Sequence, residues 1–234
     1  MRQAAVTGVI VLLVLCIAGF AAAQEPKQPP VISAPAGQAP SDAIVLFDGK
    51  NLNEFTAVDG TPATWGVENG EIIVKSGGGV VTKREFGDIQ LHLEFATPLP
   101  AKGEGQGRGN SGVYFQGKYE CQVLDSYNNE TYADGMLGAI YQQYVPLVNA
   151  SRPPGVWQTY DMIFRAPRFN ATGNKIQQAT LTVILNGVLI QDHVTINPTP
   201  GGPRSETGEE PKGPIFMQDH SNPVKYRNIW VREL

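Results

Sequence analysis

Residues 110–126, NSGVYFQGKYECQVLDS, hold the densest run of polar side chains in the chain. Read as a hairpin turning at Gly117-Lys118, the second arm alternates cleanly. Tyr119, Cys121 and Val123 share one face, while Glu120, Gln122 and Leu124 share the other. A carboxylate and an amide two residues apart on a strand point the same way, about 7 Å from each other. Tyr114 and Gln116 on the first arm can lie opposite them. Such a patch of Tyr, Gln, Glu and Gln on an open sheet face suits sugars, because amides and carboxylates bond hydroxyls and a ring offers a stacking surface. A solvated outer face with ordinary cross-strand pairs would carry the same residues.

Gln218-Asp219-His220 forms a second cluster just before the last strand-like run. An imidazole can act near neutral pH as acid, base or metal ligand. A turn aspartate beside a surface histidine explains the same three letters. His92 and Glu94 fall on the polar face of another strand and could join a metal or sugar site, or be merely exposed. Asp192-His193 reads as a strand end. The chain has no HExxH, Gly-x-Ser-x-Gly or Cys/His zinc spacing. Asn129, Asn149 and Asn170 head glycosylation sequons, which matter only in a source that uses them.

The elements that must position these groups are strands. Ile89, Leu91, Leu93 and Phe95 alternate with Gln90, His92 and Glu94, a period of two. Asn69-Gly70 and Asn186-Gly187 are two-residue hairpin signals, the second joining strand-like runs at 180–185 and 188–194. A final strand at 226–233 puts Ile229 and Val231 on one side. No stretch has a convincing helical period. Glycine (26) and proline (18) are frequent, as many short strands and turns require. An all-β sandwich of two antiparallel sheets with a jelly-roll arrangement is the expected fold. Residues 101–112 (AKGEGQGRGNSG) are a Gly-rich loop without the Gly-Lys-Ser/Thr ending of a phosphate loop. Residues 197–214 form a long polar loop, and loops of that length are usually functional or mobile.

The N-terminus carries Arg2, an apolar run over residues 4–23 and a small-residue end at Ala21-Ala22-Ala23. That is the pattern of a signal peptide at 1–23, cleaved before Gln24 and followed by a Pro/Ala-rich linker at 24–41 and one domain at 42–234. Exported protein of the periplasm or extracellular space is the expectation, with membrane contact only through residues 1–23 if they stay uncleaved. Cys16 lacks the small residue a lipid-anchor signal places before its cysteine. Cleavage leaves a single cysteine, Cys121, so no internal disulfide can form and the fold rests on its core. Eighteen Lys+Arg less Arg2, against 22 Asp+Glu, give a mature net charge of −5. No basic stripe is present, which argues against nucleic acid as a partner.

Five stretches in fixed order resemble the 3-keto-disaccharide hydrolase domain family, once catalogued as a domain of unknown function. They are LFDGKNLNEF (46–55), GNSGVYFQGKYECQVLDSY (109–127), GAIYQQYVPLVNASRPPGVWQTYDMIF (138–164), LNGVLIQD (185–192) and MQDHSNPVKYRNIWVREL (217–234). The pairing of NSG…YE.Q.LDS with QDH…RNIW is the specific part, although the family's usual glycine after the histidine is Ser221 here. The resemblance implies a concanavalin A-like jelly roll and a carbohydrate substrate. It also implies cleavage of glycosides oxidised at carbon 3, with no organic cofactor but in some members a divalent metal ion. Matched onto this chain, Glu120 and His220 become base or metal ligand, with the two roles undivided. Gln122, Asp125 and Asp219 would bind sugar hydroxyls or orient that pair, and Asn110, Ser111, Tyr114 and Tyr141 would line the cleft. Arg227 and Asn228 match as well, with a structural part in the last strand equally open.

Two other classes compete. A non-catalytic carbohydrate-binding module can share the fold, since fold does not fix function. An ordinary glucanase would want a second acid on the Glu120 strand; Gln122 and Leu124 hold those positions.

Overall fold

The computed structural model describes residues 28–234. The expected signal segment at 1–23, with Cys16, lies outside the described residues, as does the start of the linker. In chain order the strands are β1 (Ile44–Phe47), β2 (Phe55–Ala57), β3 (Gly66–Glu68), β4 (Glu71–Ile73), β5 (Val80–Phe86), β6 (Ile89–Ala96), β7 (Ser111–Phe115) and β8 (Tyr119–Val123). There follow β9 (Gln158–Arg165), β10 (Arg168–Phe169), β11 (Lys175–Gln177), β12 (Ala179–Leu185), β13 (Val188–Ile196), β14 (Gly213–Met217) and β15 (Lys225–Glu233). Helical structure among the described residues is confined to two single 3-10 turns, Gly105–Gly107 and Ala133–Gly135.

Two antiparallel sheets carry the fold. The larger runs β13-β12-β9-β6-β15-β4-β3 with β1 added to β15, and the smaller runs β2-β5-β14-β7-β8. Their inner faces come from the period-two pattern. Ile89, Leu91, Leu93 and Phe95 of β6 are all buried, facing Val113 and Phe115 of β7 and Tyr119, Cys121 and Val123 of β8. Phe115 stacks on Phe164 of β9 with centroids 4.8 Å apart, so the sheets meet ring to ring. This is the expected jelly-roll sandwich.

The hairpins follow their turn chemistry. Asn69-Gly70 and Asn186-Gly187 both take positive φ at both residues, as a type I′ turn demands. The β7–β8 turn begins one residue earlier than expected, at Gln116-Gly117, with φ of 54° and 65°. Lys118 becomes the extra residue of a three-residue loop, and its side chain is fully buried. β8 ends at Val123, so Leu124 leaves the Glu120 face and enters the hydrophobic core. Part of the linker is less extended than its composition suggests: Ser41 closes back on Ser33 through paired hydrogen bonds of 2.8 and 3.0 Å.

Candidate active site

β8 is the edge of the smaller sheet, and its outer face carries Glu120 and Gln122. That face is covered, in contrast to the open surface expected from the sequence. The chain at 138–141 runs beside β8: Gln122 N–H donates to Ala139 O (3.0 Å), Gly138 N–H to Gln122 O (3.0 Å) and Tyr141 N–H to Glu120 O (3.4 Å). From the other side comes a strap at residues 197–207. Thr199 N–H donates to Lys118 O (2.7 Å), and Thr199 Oγ1 accepts Glu120 N–H (3.4 Å). The buried Lys118 ammonium holds the strap down, donating to Arg204 O (2.6 Å), to Thr207 O (3.2 Å) and to the Thr207 hydroxyl. Burial pushes its pKa below the usual lysine value.

These covers leave a cavity of about 190 Å³ over the β7–β8 face. Glu120, Gln122 and Tyr114 form its floor, Asn110 and Gln106 one wall, and Gln218 with His220 another. Tyr141 and Pro200 stand at its rim. Glu120 is 3 % exposed, and burial lifts its carboxyl to about 7, against the lowering effect of a hydrogen bond from Tyr114. Burial, then the Glu120 charge, keep the Tyr114 hydroxyl protonated. Gln218 Nε2 donates to that hydroxyl (3.1 Å).

The amides are locked to one another. Gln106 Nε2 donates to Thr131 Oγ1 and Gly135 O (both 2.8 Å), and Gln106 Oε1 accepts from Gln122 Nε2 (3.0 Å). Asn110 Nδ2 donates to Gln106 O (2.7 Å). Two acceptors stay unpaired: Oε1 of Gln122 and Oε1 of Gln218 are buried with no partner among the described residues. A buried amide oxygen in that state is costly unless a ligand hydroxyl reaches it. At the rim the Tyr132 and Tyr141 hydroxyls meet at 2.5 Å.

Among the residues singled out from the sequence, Glu120, His220, Asn110, Tyr114, Gln122 and Tyr141 therefore converge on one cavity. Three do not. Ser111 lies on the inner side of β7, where it accepts from Tyr226 OH and donates to Gln218 O (2.7 Å each), tying the two sheets together rather than lining the cleft. Asp125 is paired with Arg108, Oδ2 to Nε 2.9 Å, and faces a different cavity. Asp219 binds no open space. Its carboxylate accepts from Gly77 N–H and Gly78 N–H (3.1 Å each) and from Ser221 N–H (2.8 Å), which fixes the turn that presents His220.

His92 and Glu94 lie on the outer face of the other sheet. His92 Nδ1 meets Asp161 at 2.7 Å, and Asn228 bridges His92 and Glu94, while Arg227 pairs with Glu94 at 2.6 Å. Arg227 and Asn228 thus serve the large sheet, away from the Glu120 cavity. Cys121 points into the core, its thiol pushed by burial up to about 12, and is chemically quiet. Gln106 and Pro200 were not singled out from the sequence, and Gln218 was named only as a member of its cluster, without a role in the site. Their only signal was membership of the Gly-rich loop, the long polar loop and the Gln-Asp-His cluster.

A metal ion would find one carboxylate and one imidazole here among neutral amides. Among the described residues no three of His, Cys, Asp and Glu come together. That donor set does not make a closed cation site.

Residues 42–232 match the family described as the 3-keto-alpha-glucoside-1,2-lyase-like domain. A 3-keto-disaccharide hydrolase of Bacteroides thetaiotaomicron is 25% identical, over 84% of this chain and 81% of its own. The crystal structure of a candidate glycosyl hydrolase from Parabacteroides distasonis superposes with a TM-score of 0.84 at 44% identity, covering 91% of this chain and 95% of the other. A second such structure from the same organism, at 18% identity and a TM-score of 0.60, covers 82% of this chain and 94% of its own and shares the fold.

Proposed function

The chain belongs to the 3-keto-alpha-glucoside-1,2-lyase-like domain family, and from that premise we propose that it cleaves 3-keto-glycosides with Glu120 as the base. The observation that carries this reading is a single buried carboxylate poised near neutrality in a cavity walled by amides. A base works best when its pKa lies near the operating pH. An oxocarbenium route would want two carboxyls flanking the bond, and Glu120 is the one carboxylate lining this cavity.

A ketone at C3 acidifies the proton on C2. Glu120 removes it, and the electron pair moves into the C2–C3 bond and onto the ketone oxygen as an enolate. The enolate collapses, forms a C1=C2 bond and breaks the C1–O bond. His220, at the mouth, gives a proton to the leaving oxygen. Water then adds its oxygen to C1, its second proton returns to His220, and Glu120 hands its proton back to C2. The sum is glycoside plus water to free 3-keto-sugar plus alcohol. The unpaired amide oxygens of Gln122 and Gln218 accept from sugar hydroxyls, and Tyr114 orients the Glu120 carboxylate.

The purified protein, incubated with a 3-keto-glucoside with and without chelator, should release the aglycone. Glu120→Gln should lower kcat/KM by about 10²–10⁴-fold, the usual contribution of a positioned base, and His220→Ala should slow release most for poor leaving groups. Binding without release under any metal condition would replace the enzyme by a carbohydrate-binding module. The exported location implied by residues 1–23 is part of the same proposal: the protein meets its sugar outside the cytoplasm.

A further inference from the structure

Forming an enolate from a C3 ketone demands two groups at adjacent ring atoms: a base at C2 and a hydrogen-bond donor at the ketone oxygen. Glu120 is the base in the reading above, and the donor is so far missing. Most N–H groups around the cavity are engaged elsewhere. Gln106 Nε2 serves Thr131 Oγ1 and Gly135 O, Gln122 Nε2 serves Gln106 Oε1 and Gly135 O, and Asn110 Nδ2 serves Gln106 O and Oε1. Tyr114 bonds the Glu120 carboxylate, and Gln218 Nε2 donates to Tyr114. His220, at the mouth, serves the leaving oxygen. Left over in the lining are the second N–H of Gln218 and the hydroxyl of Tyr141. A phenol is more acidic than a carboxamide, which makes it the stronger donor to an enolate.

The backbone places Tyr141 beside the base. Its N–H donates to Glu120 O (3.4 Å), so the two side chains leave from paired segments. The next residue, Gln142, donates its N–H to Asp134 O (2.8 Å), tying this segment to the 3-10 turn that Tyr132 precedes. The Tyr132 and Tyr141 hydroxyls meet at 2.5 Å, with ring centroids 6.1 Å apart. Tyr132 is itself held, since a Cβ on Gly135 would overlap its ring. Gly135 O is also the acceptor that locks Gln106 and Gln122. Partial burial, then the bond to Tyr141, keep the proton on Tyr132. Tyr132 is therefore the donor of the pair, and the Tyr141 O–H is free to turn into the cavity.

We propose that Tyr141 is a further catalytic residue, the hydrogen-bond donor to the C3 ketone oxygen, and that Tyr132 is a positioning residue acting through it. The proposal rests on the reading of Glu120 as the base. As Glu120 takes the C2 proton, the electron pair forms the C2=C3 bond and negative charge moves onto the ketone oxygen. Tyr141 donates a hydrogen bond to that oxygen and keeps its own proton. Tyr132, donating to Tyr141, strengthens this bond, because hydrogen bonds in a chain polarise one another. When the enolate collapses and the C1–O bond breaks, the charge leaves the ketone oxygen. No proton changes hands at Tyr141, so the overall balance stays that of glycoside hydrolysis.

1-Deoxy-3-ketoglucose isolates this step, because it has no glycosidic oxygen to expel from C1. In deuterium oxide the native protein should exchange its C2 hydrogen for deuterium, read by NMR. Tyr141→Phe should slow exchange by about 10²–10³-fold, as for the loss of one oxyanion donor. Its half-saturation should stay within about twofold of native. Tyr132→Phe should slow exchange by about tenfold, the net worth of one hydrogen bond, and should add nothing to Tyr141→Phe. Each change removes one oxygen at the rim, so melting temperatures should stay near native. Native-rate exchange in Tyr141→Phe, or a loss confined to half-saturation, would overturn the proposal. Additive losses in the double variant would overturn the part given to Tyr132. Glu120→Gln separates the two readings. If it exchanges at the native rate while Tyr141→Phe does not, the base lies elsewhere and the donor stands. If it is silent while Tyr141→Phe exchanges normally, the base stands and the donor falls. A native protein that exchanges nothing removes both.

Discussion

A Cβ built on Gly112 would stand 2.5 Å from Oε1 of Glu120 and 2.8 Å from the Tyr114 ring. The carboxylate therefore occupies space that only glycine on the neighbouring strand leaves free. Gly112 pairs with Gln122 and Tyr114 with Glu120 across β7 and β8, so all four groups are fixed by one register. Gly112→Ala must push the carboxylate aside, because the strand itself is held on both edges. A displacement near 1 Å at a reacting group costs about 10²-fold in rate. Steady-state kinetics should show that loss in kcat/KM, together with a lowered melting temperature because the buried Tyr114 ring must also give way. Full activity in a folded Gly112→Ala protein would remove Glu120 from the reacting position.

Ser111 makes the opposite case. It carries a family motif position, yet it joins Tyr226 of one sheet to the Gln218 carbonyl beside the other. Ser111→Ala leaves the buried Tyr226 hydroxyl without its acceptor, a change worth about 1–3 kcal/mol. The melting temperature should drop while KM stays within about twofold of native, as for a group that binds no substrate. A raised KM at unchanged stability would return Ser111 to the cleft.

The two cases show what the letters could and could not convey. Alternation in β6 and β8 identified the core faces, because a buried sheet face imposes a period of two on its own strand. Asn-Gly pairs located two hairpins, because their turn type needs two positive φ values. The third turn slipped by one residue because Gln116 takes the left-handed conformation without being Asn or Gly. Glu120 and Gln122 were legible as neighbours on one face. Their burial was not, since the covers at 138–141 and 197–207 come from distant, irregular chain with no period to read. The same holds for Gln106 and Pro200. Asp125 and Asp219 were drawn into the site by the family resemblance, whereas Arg108 and the Gly77–Gly78 amides claim them in space.

Export has a direct check. Expressed with its full N-terminus in a bacterial host, the protein should be recovered outside the cytoplasm with Gln24 as its first residue by N-terminal sequencing. A chain that keeps Met1 and fractionates with membranes would make residues 1–23 an anchor instead.

Glu120 makes stability and activity move in opposite directions with pH. Unfolded, its carboxyl titrates near the ordinary 4.5; folded, burial holds it at about 7. Between those values the folded chain retains a proton that the unfolded chain has released, so stability falls as pH rises through this window. Above pH 7 the full penalty is present, on the order of 3 kcal/mol. Below pH 4 both states are protonated and the penalty vanishes. Glu120→Gln, neutral at every pH, should therefore melt higher than the native protein at pH 8 and match it near pH 4. Activity needs the ionised base, so the acid limb of the native enzyme's kcat/KM profile should be centred near 7. A matching pair of midpoints, one from melting and one from kinetics, would tie both effects to the same carboxyl. An acid limb centred near 4.5, with no pH-dependent gain in Glu120→Gln, would mean that Glu120 is solvated and that the base lies elsewhere.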